Sequence, residues 1–350
     1  MPVNGADLQF AGLAGLSISY ALSVTQSLNW SVRMASDLEA SMIAVERIRT
    51  YCEIKGEAPR HTKEDGSLPK LWPVGGSIVF DGSSLRYRPG LPLVLKGLDL
   101  TIPAGRKVGV VGRTGAGKST LMVSLLRIVE LDSGRITIDG HDTRTIGLAK
   151  LRSCIAVIPQ DPVLFSGTVR SNLDPFDEHD DTTIYDVLTR VGLYSNAKPS
   201  SSYSSLSSLA LNHVQSLNDA VRSEGSNFSV GQRQLLVIAR ALLSGASIVI
   251  MDEATAAVDA DSDARIQRVI REEFVNATCI TVAHRLNTIM DSDFILVMDD
   301  GKVAEYDTPQ NLLRNGGMFR DLVRASSSMS CDEKGKLRRC MATIGNLKEM

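Results

Sequence analysis

Eight consecutive residues, Gly112-Arg113-Thr114-Gly115-Ala116-Gly117-Lys118-Ser119, fit the pattern G-x-x-x-x-G-K-[ST], which cradles phosphate groups. Glycines in such a loop let backbone amides turn toward phosphate oxygens with no Cβ in the way. The helix expected to start near Lys118 adds the partial positive charge of its N-terminus. Lys118 supplies a full charge to the β- and γ-phosphates, and the Ser119 hydroxyl is a candidate magnesium ligand. Gly112, Thr114, Gly115, Ala116, Gly117, Lys118, Ser119 and Thr120 are thus the candidate nucleotide contacts. A chance loop holding no nucleotide is the alternative; the apolar strand pattern of residues 108–111 just before it argues against that.

Carboxylates stand where a metal would need them. Residues 248–251 form an apolar strand pattern that ends in Asp252-Glu253. Asp252 would hold Mg²⁺ directly or through water. Glu253, pointing differently, can orient or deprotonate an attacking water. His284 follows the strand pattern of residues 280–283, at the kind of strand end where ligands gather in open α/β sheets. A lone histidine is more often structural, but the run Val282-Ala283-His284-Arg285-Leu286 favours a γ-phosphate contact that also positions water. Gln160 follows a further strand pattern at residues 155–158, and its amide can reach the metal or the water. Tyr87 can stack on adenine, against the plainer reading of a core aromatic. Far downstream, Phe228-Ser229-Val230-Gly231-Gln232 resembles the phosphate-facing signature of one ATPase family, and that resemblance implies Ser229, Gly231 and Gln232 as candidate contacts.

The elements that must position these residues alternate short apolar strands with helical patterns. Strands buried on both faces point to a parallel sheet with helices on each side, an α/β fold. The earlier stretch from 78 to 102, with turn residues and short alternating runs, reads as an antiparallel subdomain. The domain is expected over residues 77–325, with no internal repeat. Residues 199–208 are Ser-rich, and serine disfavours a helix interior. A tail over 326–350, Ser-rich and then of mixed charge, reads as disordered.

The N-terminal region reads differently. Residues 8–32 carry no charge, and as a helix they would reach about 37 Å, enough to cross a bilayer with some tilt. Gly15, Ser19, Ser23, Ser27 and Ser31 recur at every fourth position and make a small, slightly polar stripe. That favours one transmembrane helix of a larger bundle over a lone anchor or a buried soluble helix. Arg33, Arg47 and Arg49 place its C-terminal side in the cytoplasm, and Trp30 sits where an interfacial aromatic would. The helix is expected to continue to about residue 52, followed by a Pro/Gly-rich linker over 53–76.

Composition sets outer limits. A net charge of −2 over 350 residues gives no electrostatic footprint for nucleic acid. Five scattered cysteines without metal-type pairing suit reduced cytosolic thiols. No basic n-region and cleavage site precede the first apolar stretch, which disfavours a cleaved signal peptide.

Taken in order, the glycine loop, Gln160, Ser229-Val230-Gly231-Gln232-Arg233-Gln234, Asp252-Glu253, Asp259 in Ala256-Ala257-Val258-Asp259, and His284 resemble an ATP-binding cassette over nearly all of residues 77–325. Finer runs, among them Asn29-Trp30, Val45-Glu46-Arg47-Ile48, Glu57-Ala58-Pro59 and Asn172-Leu173-Asp174-Pro175-Phe176, resemble the second cassette of subfamily C, the multidrug-resistance-associated exporters, with the last transmembrane helix attached. Val230 in place of the commoner Gly and Phe228 in place of Leu depart from the usual signature.

The resemblance implies a P-loop cassette with a parallel core, an antiparallel β subdomain and a helical subdomain. It implies ATP and Mg²⁺ as ligands, and two cassettes that sandwich ATP between one glycine loop and the other's signature. The implied partners are a second cassette, the remaining transmembrane helices, the membrane and a small-molecule cargo of organic anions, conjugates or drugs. The cassette would sit on the cytoplasmic side of a plasma or vacuolar/lysosomal membrane. One membrane helix and one cassette cannot make a pathway alone. A short regulatory ATP-binding subunit, or a cassette that controls a channel, therefore stands as the alternative to an exporter.

Overall fold

The computed structural model describes residues 5–194, 214–252, 260–283 and 286–327. Glu253, Asp259, His284, the Ser-rich stretch 199–208 and the tail beyond 327 lie outside the described residues. The chain divides into two compact units, Met1–Glu57 and Ala58–Met350.

The first unit is a single helix, α1 (Gly5–Cys52), of 48 residues. Its length agrees with the uninterrupted helical pattern of the sequence. Its apolarity does not carry the expected bilayer crossing: no helix among the described residues is long and apolar enough to cross a membrane. Thr25, Gln26, Asn29 and the serine stripe dilute the segment. Some of that polarity is absorbed locally, since the Thr25 hydroxyl donates to Ala21 O at 2.9 Å and that of Ser31 to Ser27 O at 2.8 Å. Large apolar side chains including Phe10, Leu16, Leu22, Trp30 and Val32 are exposed along it.

In the second unit, β-branched runs bounded by glycine and charged turns become strands, as their propensity predicts. The antiparallel reading of residues 78–102 holds: β1 (Ile78–Leu85) pairs with β2 (Leu95–Ile102). β4 (Ser133–Ile138) and the short β5 (His141–Asp142) complete that sheet in the order β2-β1-β4-β5. The second sheet runs β12-β11-β3-β10-β9-β6. It comprises β3 (Lys107–Gly112), β6 (Ile155–Ile158), β9 (Ile248–Asp252), β10 (Thr278–Val282) and β11 (Phe294–Asp299), all parallel, with β12 (Lys302–Asp307) antiparallel at the edge. The strand patterns read at residues 108–111, 155–158, 248–251 and 280–283 are all present.

The continuous apolar runs follow from burial on both faces. In β9, Ile248 and Ile250 pack with Phe80, Leu121 and Ile136 on the antiparallel-sheet side. The alternate residues Val249 and Met251 pack with Leu164, Ile184 and Leu236 on the helical side. The period-2 geometry of a strand sends neighbours to opposite faces, so a strand sandwiched between two layers has no polar side to show.

Helices fill both layers. α2 (Lys118–Leu125) follows β3, and α3 (Leu148–Ser153) precedes β6. On the helical side lie α4 (Val169–Leu173), α5 (Asp181–Arg190), α6 (Val230–Leu243) and α7 (Ala260–Glu273). A two-stranded ribbon of β7 (Gly167–Thr168) and β8 (Ala220–Val221) closes the loop ahead of α4. α8 (Pro309–Asn315) and α9 (Met318–Ser327) end the described chain, with Phe319 and Val323 buried against Ile295 and Val297.

The Pro/Gly-rich stretch read as a linker belongs, from Ala58 on, to this second unit. Its backbone is irregular, with a 3-10 turn at Lys63–Gly66, yet Trp72 is only 4% exposed. The Asp139 carboxylate accepts from the amides of Gly75, Gly76 and Ser77 at 2.9, 3.1 and 2.7 Å. Proline and glycine forbid regular pairing but not docking, and here side-chain acceptors replace the ladder.

Candidate nucleotide site

Strand register brings the candidate residues to one edge. Val110 of β3 pairs with Val282 of β10, which pairs with Asp252 of β9. Met251 pairs with Ile158 of β6, two residues before Gln160. The loop after β3, Asp252 and Gln160 therefore leave the sheet at its C-terminal edge, where open α/β sheets gather ligands.

The loop itself is set by two glycines. At Gly112 a Cβ would overlap the carbonyl oxygen of Met298 on β11, so only glycine lets the loop leave the strand this close to its neighbour. Gly117, the N-cap of α2, is left-handed at φ 98°, and a Cβ there would lie 3.2 Å from Leu95. The turn is closed by Ala116 N donating to Arg113 O at 3.1 Å and braced by Gly301 N donating to Ala116 O at 3.2 Å.

Lys118 is only 7% exposed. Its ammonium donates to the carbonyls of Gly112 at 2.9 Å and Arg113 at 3.0 Å, so it curls over its own loop. Burial pushes it below the ordinary lysine value, and the Asp252 carboxylate offsets part of that shift. A buried cation, a helix N-terminus and a glycine-turned backbone make a strong anion cradle, which fits the phosphates of a nucleotide. Thr120 is buried and lies 3.0 Å, hydroxyl to hydroxyl, from Tyr87, a residue 46% exposed. That places Tyr87 beside the loop rather than in the core.

Ser119 is exposed in the first turn of α2, and Asp252 and Gln160 complete the expected metal set. All three offer oxygen atoms. Among the described residues no three His, Cys, Asp or Glu side chains form a metal cage. That donor set suits Mg²⁺, which takes one or two carboxylates and fills its shell with water and phosphate oxygens.

Ser229, Gly231 and Gln232 stand apart, at the start of α6. Ser229 is its N-cap: its hydroxyl accepts from Gln232 N at 3.2 Å, while the Gln232 side chain accepts from Ser229 N at 2.8 Å. Phe228 is 7% exposed in the helical-side core, so the larger ring is used as an anchor. α6 packs on α4, α5, α7 and β6. One bond ties it to the strand edge: buried Gln234 donates to Pro159 O at 3.3 Å, next to Gln160.

Two features escaped the sequence reading. One is the Gln234 tie, which spans residues far apart in sequence and leaves no local pattern. The other is the docked segment around Asp65, for which Thr62-x-x-Asp65, a capping pattern, was the available signal.

Residues 95–256 match the family model described as ABC transporter. Over 319 residues the chain is 49% identical to ABC transporter C family member 8 of Dictyostelium discoideum, covering 91% of this chain and 19% of that protein. It is 48% identical over 313 residues to ATP-binding cassette sub-family C member 3 of Rattus norvegicus, covering 89% and 20%. The ATP-dependent bile acid permease of Saccharomyces cerevisiae is 45% identical over 321 residues, covering 89% and 19%. Among solved structures, that of a bacterial Atm1-family ABC exporter with ATP bound superposes with a TM-score of 0.70 at 28% identity, over 84% of this chain and 48% of that one. The chain thus spans about a fifth of the length of these curated relatives. With its glycine loop, its parallel core and this likeness over nine-tenths of its length, the chain belongs to the C family of ABC transporters.

Proposed function

We propose that this chain binds ATP with Mg²⁺ on the loop Gly112–Ser119 and hydrolyses it as one half of a two-cassette site that drives export of a small molecule across a membrane. The observation that carries the reading is the buried Lys118 ammonium, held by loop carbonyls beside Asp252 at the start of α2. Lys118 and the amides after Gly112 bind the phosphates, and Tyr87 stacks on the adenine. Ser119, Asp252 and Gln160 hold Mg²⁺, which when bound supplies positive charge to the reacting phosphate. Glu253 orients or deprotonates the attacking water, and His284 contacts the γ-phosphate.

Ser229, Gly231 and Gln232 serve the ATP held by a second cassette, as a helix N-terminus aimed at its γ-phosphate. ATP bound between two cassettes favours their closure, and hydrolysis removes that preference. α1 is read as one helix of a bundle whose other members cover its exposed apolar side chains, with the cassette on the cytoplasmic side of a plasma or vacuolar/lysosomal membrane. Organic anions, conjugates or drugs are the cargo classes, and the similarity to the ATP-dependent bile acid permease supports an organic anion of that kind. Calorimetric titration of the chain with ATP and Mg²⁺ tests the first step. Saturable binding that Lys118→Ala weakens by about tenfold or more supports it, and equal binding by both proteins removes Lys118 from the site.

A further inference from the structure

Residues 59–65 lie across the start of α3 and complete it. The N-cap of α3 is Gly147, which has no side chain to offer the helix's first amides. The docked segment supplies the acceptors instead. Leu148 N donates to Pro59 O at 3.1 Å, Ala149 N to Arg60 O at 3.0 Å, and Gly147 N to Asp65 Oδ1 at 2.8 Å. Asp65 is itself held by Thr62, whose amide donates to Oδ2 at 2.9 Å, and the Thr62 hydroxyl lies 2.9 Å from Thr145 O. The bond from Gly147 and those from Thr62 keep the Asp65 carboxyl below its usual range. Gly147 is a close-contact glycine: a Cβ there would lie 2.5 Å from Asp65 Oδ2, 2.7 Å from Arg60 O and 2.8 Å from the His61 Cα.

What α3 does next gives this contact its consequence. Through Cys154 it runs directly into β6, whose end carries Gln160. Arg152 of α3 donates to Leu126 O at 3.1 Å and Arg127 O at 3.2 Å, at the far end of α2, the helix that begins with Lys118. In return, buried Arg127 donates to Thr143 O at 2.7 Å and Ile146 O at 3.2 Å, on the platform just ahead of Gly147. The docked segment, α3 and the C-terminal end of α2 form one hydrogen-bonded block. Residues 53–58 join this block covalently to α1.

We propose that residues 59–65 are a strap that positions the nucleotide site, with Asp65 as its latch and Gly147 as its keeper, acting through α3 on β6 and Gln160 and through Arg152 on α2. The proposal rests on the nucleotide reading above for its consequence, but not for its mechanics. Asp65 is a positioning residue, since it touches neither loop nor metal set.

Amide hydrogen exchange on the whole chain tests it, comparing wild type with Asp65→Ala and Gly147→Ala, which break the latch from opposite sides. Without nucleotide, both variants should speed exchange at residues 147–149 by about tenfold or more, the scale of a lost charge-assisted bond. The acceleration should spread to residues 155–158 and to the last turn of α2, while β11, away from the strap, keeps its protection. Faster exchange confined to 147–149 would overturn the proposal. So would an identical pattern in Asp139→Asn, which loosens Gly75–Ser77 but not the strap. In wild type, ATP with Mg²⁺ should slow exchange at 147–149, and it should do so less in the variants, because coupling is reciprocal. If no nucleotide binds, the functional reading fails while the first arm still decides the mechanics. If ATP binds and protects the loop but leaves 147–149 unchanged in wild type, the strap does not position the site.

Discussion

The start of α2 and the start of α6 are both helix N-termini assigned to phosphate, yet they satisfy their first amides in opposite ways. α2 is capped by Gly117, a left-handed residue with no side-chain acceptor, and its lysine bends back onto loop carbonyls. α6 is capped by Ser229 and Gln232, which satisfy each other's backbone in a closed box. The first arrangement leaves anion binding to the backbone and one buried cation. The second is closed on itself at an exposed serine. Under the proposed function this difference suits a site divided between two cassettes, one half capturing nucleotide alone and the other acting only on closure.

The sharpest test removes chemistry from the capturing half without touching capture. Glu253→Gln in the complete transporter should cut phosphate release at least about 100-fold, the scale of a lost general base, while ATP binding persists. Turnover at the wild-type rate would take Glu253 out of the mechanism. Next in size is Lys118→Ala, which should weaken ATP binding by roughly 10- to 100-fold even in this chain alone, because charge-assisted bonds to phosphate are lost. Ser229→Ala in the same isolated chain should leave ATP affinity unchanged. If titration shows Ser229→Ala weakening ATP as much as Lys118→Ala, the two halves are not separate and the comparison collapses.

Much of the capturing half was legible in the sequence because its parts are contiguous. A strand, a glycine loop and a helix follow one another, and β9 ends in its carboxylate, so periodicity and spacing locate Gly112, Lys118, Ser119 and Asp252. The parallel core was legible for a related reason: strands buried on both faces read as unbroken apolar runs, as Ile248 to Met251 do. What stayed hidden depends on pairs distant in sequence. Gln234 on Pro159, Arg152 on Leu126 and Gly147 on Asp65 have no local signature. A Pro/Gly-rich stretch reads as loose chain whether or not distant acceptors hold it. The long N-terminal helix was legible in its length but not in its apolarity: absence of charge over residues 8–32 favours a membrane span, while the serines, Gln26 and Asn29 leave no helix among the described residues apolar enough for one by hydropathy alone.

Smaller effects refine the two halves. Tyr87→Ala should weaken ATP by about fivefold to tenfold, in keeping with the ~1–3 kcal/mol typical of a base stacked on an aromatic ring. Tyr87→Phe, which loses the Thr120 contact but keeps the ring, should cost much less. Equal losses in the two variants, measured by nucleotide titration, would move the role of Tyr87 from stacking to bracing Thr120. Ser229→Ala should lower stability by about 1 kcal/mol through loss of the cap, seen as a shift in the urea midpoint with an unchanged slope.

The smallest expected effect separates the halves by pH. Burial lowers the Lys118 value in the folded chain below its unfolded value of 10.5, so between the two the unfolded chain binds the extra proton. Stability therefore rises with pH across that window, since stability grows wherever the unfolded state holds more protons. At neutral pH the charged ammonium is a strain that deprotonation relieves, the reverse of a surface lysine gaining a partner. Lys118→Met should flatten the rise when urea melts are compared from neutral pH up to 10.5, and should raise stability at the neutral end. Saturating ATP should act in the opposite direction on the wild type, because phosphate favours the charged lysine and holds its proton to higher pH. A Lys118→Met chain with the wild-type slope would mean that the buried ammonium is already fully compensated by Asp252 and the loop carbonyls. The capturing half would then be as self-contained as the capped start of α6.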